Sequence, residues 1–361
     1  MPPMRALRPA PVTLCLLAAA ALLGGCGGDS GTDGSSTSAE AAAGRPAPPK
    51  TEFPSARGRT LRQVLKAADA RAESVVAPAA EVFYPGLNRY PFGVSDREDG
   101  PVSDAEVAIY FSKVPTPKPG ARSKSGHRGQ VSKAQDQALD QPAHGPFPAA
   151  IESLATKPAF RSRSTDEDPE APGAVYYTSL DLPSTGEWRI AAILKEDGEL
   201  KGTPLPGVVV GQFRRIPKPG EKAPVIHTPT AQDVGGELSK ITTREPPGTQ
   251  NEVDYAEAVG KEPIVLLFAT PEFCQSRVCG PVVDVAEQAK QEYGDEAAFI
   301  QMEIYRENDP DKGVRPQVRA FHLPSEPYLF TIDREGIVRG TVEGAFGLKL
   351  MHEAVDKAIA P

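Results

Sequence analysis

Cysteine is scarce in this chain, with four among 361 residues, and there is a single tryptophan; aromatic residues make up 6% of the total. So few cysteines exclude a small scaffold held together by many disulfides. The one clear hydrophobic run, Val12 to Leu23, falls short of the ~20 residues that a helix needs to span a bilayer. Basic residues number 40 against 48 acids, and no sustained basic face is present, which makes nucleic acid a poor partner. Proline is abundant instead: 38 residues, about twice the usual share, beside 33 glycines. Proline disrupts helix interiors, so a helical bundle is excluded. The length suits about two domains, and the composition describes a strand- and loop-rich globular protein.

The N-terminal run follows Arg5 and Arg8 and ends in small residues, the pattern of an export signal. Leu23-Gly24-Gly25-Cys26, followed by Gly27, Gly28, Asp29 and Ser30, resembles a bacterial lipobox. That resemblance implies a signal peptide over 1–25 and a lipidated Cys26 anchoring the mature chain to membrane lipid on the extracytoplasmic face. Cys15 would leave with the signal. Cys274 and Cys279 then remain as the candidates for thiol chemistry in an oxidising compartment.

Residues 26–59 read as a flexible tether, poor in apolar side chains over most of its length. Thr60, with Gln63 three positions on, forms a capping-box signature, and Leu61, Val64, Leu65 and Ala68 share a face, so a short helix is predicted over 60–74. Strand signals follow at Glu81–Tyr84, Glu106–Phe111, Val175–Leu182, Trp188–Leu194 and Val208–Val210. Asp197-Gly198 predicts a tight hairpin turn. Short strands with Pro/Gly turns over 75–216 resemble an antiparallel, immunoglobulin-like β-sandwich. In it Trp188 is core and 114–145 is a long exposed loop carrying solvated His127 and His144. This region shows no catalytic grouping, and its expected role is spacing or partner recognition.

From 217 onward strand and helix alternate. Ile264–Phe268 is a continuous apolar run, the mark of a strand covered on both faces. Helices are expected at Val253–Val259, Pro281–Tyr293, Gln317–Phe321 and Leu348–Ile359, and strands at Ala298–Tyr305, Tyr328–Ile332 and Ile337–Val342. The order is βαβ, a short helix, a β-hairpin and a final helix.

Three sequence features in residues 217–361 resemble the thioredoxin-like superfamily. Gly220-Glu221-Lys222-Ala223-Pro224 is similar to the opening of membrane-anchored thioredoxin-like proteins and peroxiredoxins. Phe268-Ala269-Thr270-Pro271 leads to Cys274, where the family places its reactive cysteine. Ser325-Glu326-Pro327-Tyr328 resembles the family's cis-proline segment. The resemblance implies an α/β thioredoxin-like domain with Cys274 attacking and Cys279 resolving. Pro327 would pack beside the pair, with the Glu326 backbone open to a substrate. A helix N-terminus at Cys274 would stabilise its thiolate, Arg277 would add to this, and Glu272 would oppose it.

Five steps of straight α-helix would hold the two Cα atoms about 8–9 Å apart, beyond the ~7 Å limit for a disulfide. Gln275–Val278 are therefore predicted as an irregular turn, with the helix starting near Pro281, since proline suits the first turn. Four residues lie between the cysteines where thioredoxin has two, Phe273 stands in place of tryptophan, and the apolar strand holds no carboxylate. The spacing resembles Q-type peroxiredoxins, but Pro271 occupies the position of their Thr or Ser. Copper chaperones of the Sco type pair such cysteines with a distant histidine, for which His322 and His352 are available, but with three intervening residues.

The expectation is a membrane-anchored thiol–disulfide oxidoreductase that uses neither cofactor nor metal and acts on an unidentified protein thiol or disulfide. The alternatives are a binding lipoprotein with a structural disulfide and a peroxidase.

Overall fold

The computed structural model describes residues 44–68, 70–96, 100–116 and 134–361. Cys15, Cys26, the signal run, most of the tether and His127 lie outside the described residues. Strand signals in the first half resolve into two five-stranded sheets. One has the order β1 (Ala70–Arg71), β10 (Glu199–Val210), β9 (Gly186–Glu196), β5 (Glu106–Lys113) and β6 (His144–Pro148). The other runs β2 (Val75–Pro78), β3 (Gly86–Asp96), β8 (Ala174–Leu182) and β7 (Ala150–Ser153), with β4 (Gly100–Pro101) also paired to β3. All pairings are antiparallel except β1 with β10. Alternating side chains of both sheets share one core, in which Tyr90, Phe92 and Tyr176 face Ile109, Phe111, Trp188 and Ile190.

Local chemistry explains several of these elements. Asp197 and Gly198 take φ of 54° and 80°, the left-handed pair that a two-residue hairpin between β9 and β10 requires. Thr60 and Gln63 form the predicted capping box, and the helix it opens, α1 (Leu61–Leu65), is shorter than the pattern suggested. Glu81–Tyr84 is not a strand; only Phe83 makes an isolated bridge, to Val210. The strand there is β3, whose Pro91 offers no N–H to the ladder and whose glycines blur the alternation. Residues 134–138 are helical (α2), and His144 opens β6 with its ring stacked on Phe111 at 4.8 Å.

The second half builds a four-stranded sheet in the order β12 (Ala298–Met302), β11 (Ile264–Phe268), β13 (Tyr328–Ile332) and β14 (Val338–Glu343). β11 pairs in parallel with β12 and antiparallel with β13. All five β11 residues are buried, as a strand covered on both faces must be. One face carries α5 (Cys279–Tyr293) and α7 (Leu348–Ile359), and the other carries α4 (Tyr255–Ala258) and α6 (Pro316–Ala320). The predicted β–α–β, short helix, hairpin and helix order is present.

All described residues belong to one compact unit. Leu154 and Val175, from the segment between β7 and β8 and from β8 itself, are buried in the same cluster as α5 and α7.

Candidate functional site

Cys274 and Cys279 are joined by a disulfide, with Cα atoms 5.9 Å apart. That distance is reached because the chain does not enter the helix until Cys279. Gln275–Val278 form an irregular turn, and Arg277 adopts φ of 56°. The predicted turn is present, and the helix begins two residues before Pro281. The dipole argument therefore changes partner. Cys274 lies before the helix, whereas Cys279 is its first residue and receives the positive end of the macrodipole. Exposure runs the other way: Cys274 is 8% exposed and borders a cavity, and Cys279 is fully buried.

The cavity has a volume of about 560 Å³. Cys274, Glu272 and Arg277 form one side of it. Arg163, Ser164, Glu167 and Asp168 also line it; they belong to α3 (Arg163–Asp166) and the residues after it, in the segment joining β7 to β8. The N-terminal sheets thus contribute a wall to the cysteine site, although sequence reading found no site in them.

That wall is fastened by a buried carboxylate. Asp284, on α5 and fully buried, accepts from Ser162 N at 2.8 Å, Ser162 Oγ at 3.0 Å, Thr165 Oγ1 at 2.6 Å and Arg244 Nε at 3.0 Å. Burial still raises its pKa, although each of these donors pulls it down. Gly280 completes the join, because a Cβ there would collide with Ser164 Oγ. Arg277, expected to support a thiolate, instead donates to Asp168 at 2.7 and 2.8 Å and pairs with Glu170 at 3.0 Å.

Two further carboxylates lie near the cysteine turn, Glu303 buried and Glu326 half-buried. Glu303 accepts from both Thr243 N and Thr243 Oγ1 at 2.7 Å, and the same Thr243 hydroxyl accepts from Glu272 N at 3.2 Å. Burial raises its pKa. Glu326 accepts from Thr270 N at 3.0 Å, and burial, assisted by the nearby Glu303 charge, pushes its pKa up to about 8. The apolar strand β11 has no carboxylate; the two acids arrive from the residues just before β13 and just after β12. The Glu326–Pro327 peptide is cis. Pro327 is buried, and its carbonyl accepts from Gly344 N at 2.9 Å. The cis-proline pattern points to the Glu326 backbone and carries no signal for its half-buried side chain. The one sequence signal for the clasp was Asp284, a lone acid in the apolar run Val282–Ala286.

His352 contacts Glu292 at 2.8 Å, away from the pair. Among the described residues no group of three or more His, Cys, Asp or Glu could hold a metal ion.

No family model matches the chain, and no curated protein matches it. Solved structures match it in part. A thiol:disulfide interchange protein of the thioredoxin family from Chlorobium tepidum TLS is 16% identical, with a TM-score of 0.29, over 40% of this chain and 98% of that one. A thioredoxin-like protein in its oxidised form is 18% identical, with a TM-score of 0.27, over 34% and 97% of the two chains. A thioredoxin-like superfamily protein is 14% identical, with a TM-score of 0.25, over 31% and 89%. These likenesses are all to thioredoxin-like proteins, and each leaves more than half of this chain unmatched.

Proposed function

We propose that this protein is a thiol–disulfide oxidoreductase that works through Cys274 and Cys279. The observation that carries the reading is the disulfide itself, with one sulfur's residue on a cavity and the other's at the head of a helix. A partner thiolate entering the cavity meets Cys274 first. Cys279 is the leaving sulfur, and the helix dipole stabilises the thiolate it becomes, which speeds departure. Cys274 is then the residue that carries the mixed disulfide. Pro327 and the backbone of Glu326 take the substrate-positioning role that the likeness to a cis-proline segment implies, and Arg277 holds the turn between the cysteines. The second half is a thioredoxin-like domain, and the two five-stranded sheets are an immunoglobulin-like sandwich that presents a wall of the cavity beside Cys274.

The lipobox-like Leu23–Cys26 supports a further part of the proposal: the chain is exported and held by lipid on Cys26 at the extracytoplasmic face of a membrane. Among the described residues no helix is long and apolar enough to cross one.

The test is to equilibrate the full chain with thiol–disulfide buffers and count free thiols by alkylation and mass. The pair is expected to open and close reversibly. A pair that stays closed overturns the assignment and leaves a structural staple.

A further inference from the structure

The cavity beside Cys274 carries an uneven distribution of charge. Arg163 is matched by Glu245 at 2.6 Å, and Arg277 by Asp168 at 2.7 Å. Glu167 and Glu272, both exposed on the same cavity, have no ion pair and no side-chain hydrogen bond among the described residues. Glu170, paired with Arg277 at 3.0 Å, adds a third negative charge beside that residue. An entering sulfur therefore meets a cavity that carries two uncompensated carboxylates, drawn from two distant parts of the chain. Glu272 precedes Cys274 by two residues, and Glu167 belongs to the wall from the N-terminal sheets. At about 560 Å³ the space matches a few side chains of an extended chain.

We propose that the site selects cysteine thiols in extended peptide segments flanked by Lys or Arg, and that the β7–β8 wall makes half of that selection. This rests on the exchange reading above. The partner's thiolate attacks Cys274 Sγ, the Cys274–Cys279 bond breaks, and Cys279 departs as a thiolate and takes a proton. A second thiol of the same partner then attacks the mixed disulfide and releases Cys274. The partner loses two electrons and two protons to form its disulfide, and the two cysteines gain them. Positive charge beside the partner's sulfur both raises its local concentration at the acidic mouth and increases its thiolate fraction.

The test uses the oxidised full chain and three short peptides, Lys-Cys-Lys, Ala-Cys-Ala and Glu-Cys-Glu, with cysteamine as a small cationic thiol. Rates of opening are measured by rapid quench and alkylation and expressed per thiolate. The expected order is Lys-Cys-Lys, then Ala-Cys-Ala, then Glu-Cys-Glu, spanning about tenfold at low ionic strength and shrinking in ~1 M salt. Combining Glu167→Gln with Glu272→Gln is expected to collapse the spread. Equal rates for the three peptides overturn the charge selection while leaving exchange intact. Cysteamine outpacing Lys-Cys-Lys overturns the peptide assignment. No opening by any thiol overturns the exchange reading itself.

Discussion

Glu326 shows how much a single residue can tie the site to the stability of the fold. Its half-buried side chain receives one hydrogen bond from Thr270 N, and desolvation raises its pKa from 4.5 to about 8. Between those two values the folded chain keeps a proton that the unfolded chain has lost. Stability contributed at this position is therefore present at low pH and lost as pH rises through the window. Glu326→Gln is expected to flatten the dependence. In urea unfolding, the gap between variant and parent should widen in the variant's favour from pH 5 to pH 8.5, and parallel profiles would show that Glu326 ionises normally. The two cysteines are similarly divided by their surroundings. Cys274 has the access and Cys279 the helix dipole, which the sequence pattern had assigned to Cys274.

At the level of elements, the join between α5 and the β7–β8 segment decides the shape of the cavity. Gly280 lies at this join, directly against Ser164. Gly280→Ala must push the wall outward or bend the first turn of α5, at a cost of about 1–3 kcal/mol typical of overpacking. Adding Ser164→Gly should recover much of that loss, a coupling measurable by a double-mutant cycle; additive effects would mean that the contact is not made. This join was the least legible part of the sequence, because Ser162 and Asp284 are 122 positions apart. The central strand β11, the β9–β10 turn and the final helix were legible, since an apolar run, an Asp-Gly pair and a 3.6-residue period each act locally. β3 was not, because Pro91 and Gly93 interrupt a strand whose place is fixed by its neighbours β2 and β8. The helix start at Cys279 was nearly legible from the distance a disulfide can span; the residues that hold the turn, Asp168 and Glu170, were not.

Across the whole molecule, the three sheets are held by polar as well as apolar contacts. Glu343 of β14 accepts from Glu81 N and Val82 N at 2.9 Å each. Arg89 of β3 donates to Ala345 O at 2.8 Å, and Leu350 N of α7 donates to Glu152 of β7 at 3.0 Å. Such links predict joint unfolding of both halves. Trp188, the chain's single tryptophan, is buried in the first half and reports on it alone. Leu266→Ala, in the fully buried β11, is expected to cost about 2–5 kcal/mol and to shift the Trp188 fluorescence transition by the same amount. A Trp188 transition left unmoved would mean that the halves unfold separately. The same unity gives the cysteine site its two sides, since one wall comes from each half.

Function through Cys274 and Cys279 requires that their bond exchange, and its equilibrium reduction potential measures that directly. Titrated in glutathione and dithiothreitol buffers, the pair is predicted to reach equilibrium at a value more oxidising than about −300 mV. A bond that remains closed below that potential, with both sulfurs unreactive to alkylation throughout, would contradict the account.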